Sequence, residues 1–292
     1  MFILPDWEER SFLGFKKDIS LFPIQHVYII RYTVSHYQVG VNSTLASIEL
    51  YCKKKSINYT YIDLSIDSVN IWNTLYNVIN QISNLSTKEI FLDITTMPRN
   101  IIWALLFFIK QQNNKIHYIY HQPQKYANEW ISKEPDIPRL LFKHSGIMKL
   151  GCPIALIILT GFDPERTRQL VNFYEPKFVA LGLQTGDQFD NTKRNNEEEH
   201  MNACRGLTNV IPFKMDAYTN DQGFSSIEKQ LITLSSNYNI IATSLGPKIS
   251  ALSLYYCYHK NPEIALCYIP CKEYNIKYCE GISNTFNGII NF

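Results

Sequence analysis

The sequence predicts an α/β protein of two tandem Rossmann-like units, each with a mainly parallel sheet flanked by helices. Three observations support this prediction. Apolar runs of strand length alternate with helical stretches, which is the pattern of doubly wound folds. The strand runs are continuously aliphatic, as expected of parallel strands that are covered on both faces. The third observation is an internal repeat with an offset of about 150 residues.

The repeat is clearest where a predicted strand ends in hydroxyl residues, a proline and a cation. Residues 91–100 read FLDITTMPRN and residues 240–248 read IIATSLGPK, and an apolar helical stretch follows each run. Two later runs, KIHYIY and IALCYI, keep nearly the same offset. We therefore predict two domains, residues 1–145 and 146–292, with helices directly after the two proline-cation motifs.

The beginnings of the two halves also look alike. The buried-strand runs at 27–30 and 155–159 are aligned here as the first strands of the two repeats. Asp163 has the properties of a helix N-cap, because Pro164 and Glu165 follow it. Residues 126–152 are predicted to be a linker, and the polar stretch near 186–206 is predicted to be an insertion in the second repeat.

Composition excludes several classes of protein. A formal charge of +2, from 28 basic and 26 acidic residues, does not provide the concentrated basic face of a duplex-binding protein. Seven cysteines without a Cys-x-x-Cys pair argue against a disulfide framework or a structural zinc site and favour a cytoplasmic protein. No apolar run reaches the roughly 18 residues of a spanning helix, so membrane insertion is not expected.

Ligands of open parallel sheets bind beyond the carboxyl ends of the strands, near helix N-termini. Four predicted loops meet this condition, at residues 33–37, 93–100, 160–166 and 243–248. The ligand they suit is a nucleotide or another phosphate-bearing small molecule held between the halves. Arg99 could bind phosphate in a bidentate way, and Lys248 would act as a point charge. The alternative is ordinary helix capping by the same residues. The predicted ligand-binding residues are Thr33, Ser35, His36, Thr95, Thr96, Arg99, Thr160, Gly161, Asp163, Ser244, Gly246 and Lys248.

The stretch Leu245-Gly246-Pro247-Lys248, followed by Ala251-Leu252, resembles the second conserved motif of the CRISPR-associated Rossmann fold (CARF) family. The stretch at 93–99 is a looser match. The resemblance implies a sensor of cyclic oligonucleotides, and two such units in one chain resemble the SAVED domains of anti-phage defence. It also implies that the loops at 33–37 and 160–163 complete the pocket. The repeats leave no room for the fused effector that the family usually carries, so a separate effector protein is implied.

Asp93 and His200 are the candidate catalytic residues. Asp93 ends an apolar strand, where an unpartnered carboxylate is costly, and it could be a base, a metal ligand or a structural acid that pairs with Arg99. His200 shares a predicted helix face with Glu197 in the polar insertion, which could be a catalytic loop, a lid or a solvated segment. No nucleophile elbow, P-loop, G-x-G-x-x-G or H-E-x-x-H motif is present.

No cofactor or metal is predicted from these patterns. A metal site formed by His117 and His121 would require the strand to continue through His121, and we do not expect one. Three functions remain open: a nucleotide sensor or regulatory subunit, an enzyme that hydrolyses a nucleotide or nucleoside, and a structural subunit. In the last case the aromatic tail at 285–292 would dock onto a partner. The sequence leaves the oligomeric state open.

Overall fold

The computed structural model describes residues 1–32, 37–64, 68–82, 89–111, 115–186 and 197–290. The chain divides into two compact units. Unit 1 comprises Met1–Glu129 and Asn275–Phe292, and unit 2 comprises Trp130–Tyr274. The observed division therefore lies about fifteen residues before the expected one at 145/146, and the end of the chain returns to unit 1.

The helices and strands follow one another in chain order, beginning with unit 1. Its first part contains β1 Phe2–Ile3, α1 Glu9–Leu21, β2 His26–Tyr32, α2 Gln38–Lys55, β3 Asn58–Leu64, α3 Ser68–Gln81, β4 Glu89–Asp93, α4 Arg99–Lys110, β5 Lys115–His121 and β6 Lys125–Tyr126. Unit 2 contains β7 Ser132–Pro135, β8 Arg139–Leu140, β9 Ile154–Leu159, α5 Pro164–Tyr174, β10 Phe178–Gln184, α6 Glu197–Ala203, β11 Val210–Met215, α7 Phe224–Leu234, β12 Asn239–Ser244, α8 Lys248–Lys260, β13 Ala265–Tyr268 and β14 Cys271–Tyr274. The chain then adds β15 Cys279–Glu280 and β16 Thr285–Ile290 to unit 1.

The sheet of unit 1 has the strand order β16-β5-β4-β1-β2-β3. Strands β1 to β5 pair in parallel, and β16 runs antiparallel to β5, with Thr285 opposite His121. The expectation that residues 285–292 form a docking tail is therefore corrected for its described part. Residues 285–290 are an edge strand of the unit's own sheet, and residues 291–292 lie outside the described residues.

The sheet of unit 2 has the order β11-β10-β9-β12-β13-β8, with β9 to β13 parallel and β8 antiparallel at one edge. Numbered within each unit, the parallel strands of both sheets follow the order 3-2-1-4-5. This is the order of the Rossmann half-sheet with its partner strands. The predicted fold class, two Rossmann-like units with mainly parallel sheets, is confirmed. The predicted linker is wrong, because residues 132–135 and 139–140 form strands that pair with β14 and β13.

The structure also corrects the alignment of the two repeats. The first strand of unit 1 is Phe2–Ile3, so β2 corresponds to β10 and not to β9. A two-residue strand followed by Leu4 and Pro5 carries no periodic signal, which is why the sequence pattern misses it. The polar stretch after β10 therefore has a counterpart in the loop after β2. Residues 33–36 and 187–196 of these two segments lie outside the described residues.

Both units bury apolar side chains on the faces of their sheets. In unit 1, Phe15 of α1 and Ile48 of α2 pack with Ile29 and Ile119 from the strands. Helix α4, predicted from the apolar run at 101–109, is buried along most of its length, as expected of a helix that is apolar all round. Among the described residues, no helix combines the length and the hydropathy that crossing a membrane requires.

Candidate functional site

In a sheet of order 3-2-1-4-5, the crevice between strands one and four is the topological switch point, where ligands of open α/β folds bind. The loops that flank this crevice are tied together in both units. In unit 1 the Thr96 hydroxyl donates to the Leu4 carbonyl oxygen at 2.7 Å. In unit 2 the Leu245 amide donates to the Leu159 carbonyl oxygen at 2.8 Å.

The two proline-cation motifs have the same backbone structure. Pro98 is the N-cap of α4 with φ −59° and ψ 145°, and Pro247 is the N-cap of α8 with φ −56° and ψ 149°. Arg99 and Lys248 are consequently the first residues of their helices. The predicted correspondence of the two motifs is confirmed in the backbone and in strand order.

The two cations differ in their surroundings. Arg99 is 7% exposed, whereas Lys248 is half-buried. Burial raises the pKa of Tyr278, the charge of Glu8 adds to this shift, and the charges of Arg10 and Arg99 oppose it. Unit 1 thus encloses the Arg99 guanidinium close to other charged groups of its own, while the Lys248 side chain reaches the surface of unit 2.

A buried ion pair lies where the loop after β1 enters α1. Arg10 donates to Glu8 Oε2 through Nη2 at 2.6 Å and through Nε at 3.1 Å, and its Nη1 donates to the His121 carbonyl oxygen at 2.8 Å. The Cys279 thiol donates to the same Glu8 oxygen at 2.9 Å, and burial together with the Glu8 charge raises the pKa of that thiol. The chain therefore supplies an anion of its own at this end of the unit 1 sheet.

Asp93 belongs to a second buried cluster in unit 1. One ligand atom each from Asp18, Asp93 and His121 lies within 4.8 Å of the others, and His121 Nε2 is 3.0 Å from Asp18 Oδ1. Burial raises the pKa of Asp18 to about 7, although the hydrogen bond from His121 opposes this shift. Burial lowers the pKa of His121, but its hydrogen bond with Asp18 and the charges of Asp93 and Asp18 outweigh burial and raise it overall.

The hydroxyl residues predicted to bind a ligand form hydrogen bonds within their own units. Thr95 Oγ1 accepts from the His121 amide at 3.0 Å, and Thr160 Oγ1 donates to the Gly182 carbonyl oxygen at 3.0 Å. Ser244 Oγ lies 2.8 Å from Ser250 Oγ. These bonds, like that of Thr96, fix the loops at the switch points. A direct role of the hydroxyls in ligand binding stays a prediction.

His200, a predicted catalytic residue, is fully buried on α6. Its Nε2 lies 3.0 Å from the Gly161 carbonyl oxygen and its Nδ1 lies 3.0 Å from Thr167 Oγ1. Burial lowers the pKa of His200. Glu197 is exposed, so the two residues do not share one environment. This arrangement suits a neutral histidine that holds the loop after β9, and catalysis by His200 stays an untested prediction.

Two glycines allow the loops of unit 2 to approach each other. A Cβ atom on Gly161 would overlap the Leu245 carbonyl oxygen, and one on Gly246 would lie 2.6 Å from the Thr160 carbonyl oxygen. Asp163 caps α5 as predicted, since its Oδ1 accepts from the Glu165 amide at 3.1 Å. The loops after β9 and β12 are therefore held closely side by side at the switch point.

Sequence reasoning missed Glu8, Arg10 and Asp18, because single polar residues in an ordinary helix form no motif. One signal for Asp18 was available. It is the glycine inside a helix, Gly14, one turn before Asp18. The structure explains this glycine, since a Cβ there would overlap the ring of His121. Strand β5 does continue through His121, but His117 Nε2 lies 3.5 Å from Glu89 Oε2, so the two histidines have different partners. Among the predicted residues, Thr33, Ser35 and His36 lie outside the described residues.

No protein-family model matches the sequence, and no curated protein matches it significantly. Among solved structures, the cytoplasmic domain of a prokaryotic cation chloride cotransporter is 10% identical, with 93% of this chain and 95% of that chain covered and a TM-score of 0.31. A putative universal stress protein from Pseudomonas aeruginosa UCBPP-PA14 is 10% identical, with 91% and 90% covered and a TM-score of 0.27. Scores this low carry no functional argument.

Proposed function

We propose that the protein is a nucleotide-binding sensor or regulatory subunit that holds its anionic ligand at the switch point of unit 2. The observation that carries this proposal is the position of Lys248. It is the first residue of α8, it is half-buried, and it follows the loop in which Gly246 packs against the loop after β9.

The physical basis is the electrostatics of a helix start. The first N–H groups of the 13-residue helix α8 and its positive dipole end favour a phosphate group. Lys248 adds a charge-assisted hydrogen bond at the same position. Gly246 and Gly161 contribute no side chains, so the loops after β9 and β12 pack directly against each other and hold the start of α8 in place.

Unit 1 is the weaker candidate, although it has the same strand order. Glu8 already provides a carboxylate near its switch point and is paired with Arg10. Met97 precedes the N-cap proline where unit 2 has Gly246, and Arg99 is almost fully buried. An external anion would have to compete with a buried internal one in unit 1, which makes the site of unit 2 the more favourable.

The class of nucleotide follows from the resemblance to the CARF family. In the motif that carries it, Ala251 and Leu252 are buried in α8 behind Lys248, which keeps the helix start fixed. A cyclic oligonucleotide is therefore the proposed ligand, and a separate effector protein in anti-phage defence is the proposed partner. Hydrolysis of the same ligand is the alternative, with Asp93 and His200 as its candidate catalytic residues.

Calorimetry of the full chain against mono-, di- and cyclic oligonucleotides at fixed salt tests the proposal. We expect one member of the panel to bind and Lys248→Ala to weaken it by about 1.5–3 kcal/mol, the range for charge-assisted hydrogen bonds. The matched control is Lys229→Ala, which removes an exposed lysine of α7 and should leave the affinity unchanged.

Chromatography of the ligand after binding separates the two functions. Intact ligand supports the sensor, and converted ligand supports the enzyme. A loss of affinity in Arg99→Gln with none in Lys248→Ala would move the site to unit 1. If no nucleotide binds to the folded protein, the proposed function is wrong.

A further inference from the structure

We propose that Asp18, Asp93 and His121 of unit 1 form a binding site for a divalent first-row transition-metal ion. The three residues converge at the carboxyl end of the sheet. Asp93 ends β4, His121 ends the neighbouring parallel strand β5, and Asp18 comes from α1. One ligand atom from each lies within 4.8 Å of the other two. This inference does not depend on the proposed nucleotide site, which lies in unit 2.

An unsatisfied oxygen points to a missing partner in this cluster. Asp18 is fully buried, and its Oδ1 interacts with His121 Nε2. The other oxygen of the same carboxylate, Oδ2, has no hydrogen-bond partner among the described residues. A buried carboxylate oxygen without a partner is costly, and the nearby charge of Asp93 adds repulsion. A cation would supply the partner for Oδ2 and neutralise the two like charges.

The contacts around the cluster suit metal ligands. His121 Nδ1 lies 3.0 Å from Thr285 Oγ1, so its Nε2 is the nitrogen that faces the two carboxylates. Asp93 Oδ1 accepts from the Thr95 amide at 2.9 Å. Metal-ligating histidines and carboxylates usually have such an outer hydrogen bond, which fixes their orientation.

The backbone of α1 makes room for this arrangement. Gly14 lies on the same face of α1 as Asp18, one turn earlier, and a Cβ at Gly14 would overlap the His121 ring. A glycine inside a helix is destabilising relative to alanine. This cost is offset by the close approach of the imidazole to Asp18.

The ligand set selects the class of metal. One imidazole nitrogen and two carboxylates suit Mn²⁺, Fe²⁺, Co²⁺ or Zn²⁺ rather than a soft ion. Metal–ligand bonds of about 2.0–2.2 Å place neighbouring ligand atoms about 2.8–3.6 Å apart, from octahedral to tetrahedral geometry. The 3.0 Å separation of His121 Nε2 and Asp18 Oδ1 already matches this spacing. Binding would release the proton between these two atoms to solvent, and the remaining coordination positions would hold water.

Titration of the metal-free full chain with Mn²⁺, followed by electron paramagnetic resonance and calorimetry, tests the proposal. Mn²⁺ is the better probe because seven cysteine thiols would compete for Zn²⁺. We expect one Mn²⁺ per chain and at least a tenfold loss of affinity in Asp18→Asn, Asp93→Asn and His121→Gln. The matched controls are Asp63→Asn, an exposed carboxylate that pairs with Arg31, and His117→Gln. Both controls should bind Mn²⁺ like the parent protein.

A measurement on the parent protein keeps the test valid if a cluster variant does not fold. Pulsed electron paramagnetic resonance of the bound Mn²⁺ should show coupling to the nitrogen of a single imidazole. Stoichiometric binding without this coupling would overturn the proposal. So would undiminished binding in folded Asp18→Asn, or no Mn²⁺ bound to the folded parent protein. None of these results depends on nucleotide binding.

Discussion

The two units share one strand order but differ in the polar groups buried at the carboxyl ends of their sheets. Within the described ranges, unit 1 buries mainly ionisable groups there: Glu8, Arg10, Asp18, Asp93, Arg99 and His121. Unit 2 buries mainly neutral hydroxyls there, together with one histidine and one cation: Thr160, Thr167, Ser244, Ser250, His200 and Arg166, whose guanidinium donates to the Ile269 carbonyl oxygen. The same topology thus fixes where a site lies but not its electrostatics, which the side chains decide.

The difference has energetic consequences. Buried charges are tolerated only when they are paired or bound to a ligand, and their net contribution to stability is often small. Unit 1 therefore depends on the pairing of its buried charges, in which Asp18 Oδ2 is an exception. Unit 2 fixes its switch-point loops mainly with neutral hydrogen bonds and close glycine contacts.

Removal of one charge from unit 1 should have the largest effect. Arg10→Met leaves Glu8 buried without its ion-pair partner, although the Cys279 thiol still donates to it, and removes the bond to the His121 carbonyl oxygen. We expect a loss of about 3–5 kcal/mol in the free energy of unfolding, measured by urea denaturation. The control Arg31→Met breaks an exposed pair with Asp63 and should cost less than about 1 kcal/mol. Equal losses in the two variants would show that burial of the Glu8–Arg10 pair does not make unit 1 depend on it.

A methyl group added at Gly246 of unit 2 should have the next largest effect on the free energy of unfolding. Gly246→Ala would place a Cβ 2.6 Å from the Thr160 carbonyl oxygen, and neither backbone segment moves freely. We expect a loss of about 3 kcal/mol in the free energy of unfolding, the upper part of the range for overpacking. Gly206→Ala is the control, since its Cβ meets nothing within 4 Å and only its φ of +100° is unfavourable. A cost of about 1 kcal/mol is expected there.

The sequence predicted the parts of this comparison that have local signals. The apolar strands, the proline-cation motifs and the cap at Asp163 were all found from composition and spacing, because each depends on neighbours in the chain. The first strand of unit 1 was missed, since Phe2 and Ile3 alone form no pattern. The pairing of β16 with β5 was missed because it joins residues more than 160 positions apart.

The candidate sites were harder to predict for the same reason. Asp93 was singled out because a carboxylate ends an apolar strand, and this signal is local. Its neighbours Asp18 and His121 come from α1 and β5, and no spacing in the sequence connects them. The burial of His200 was not foreseen either, because an acidic helix start usually indicates a solvated segment.

The buried, neutral His144 of unit 2 should make the free energy of unfolding fall at acidic pH. Burial lowers the pKa of His144 to about 4, although its hydrogen bond to the Phe142 carbonyl oxygen opposes this shift. Between that value and the ordinary 6.5 the unfolded chain binds the proton more readily, so stability falls as the pH falls. Urea denaturation at pH 5 should show roughly 2 kcal/mol less stability from this residue than at pH 7.5.

The variant His144→Asn isolates this contribution. Asparagine can still donate to the Phe142 carbonyl oxygen but does not titrate, so the variant should lose less stability between the two pH values than the parent protein. An identical pH dependence of both proteins would show that His144 takes up its proton in the folded state at an ordinary pH.

The smallest effect concerns how each unit begins the helix after its first strand. In unit 2, Asp163 caps α5 through Oδ1 and accepts from the Ser132 hydroxyl at 2.9 Å through Oδ2. In unit 1, Glu8 occupies the N-cap position of α1 without a side-chain cap bond, because its carboxylate is paired with Arg10. Asp163→Ala should therefore cost about 1 kcal/mol through the lost cap, measured by urea denaturation.

A double-mutant cycle with Ser132→Ala separates the two bonds of Asp163, because Ser132→Ala removes the second bond and leaves the cap intact. Asp163→Asn keeps an acceptor oxygen and should retain most of the cap. If Asp163→Ala costs no more than Ser132→Ala, Pro164 alone fixes the start of α5. The two units would then begin this helix in the same way, without a side-chain cap, and their difference would be confined to the buried charges.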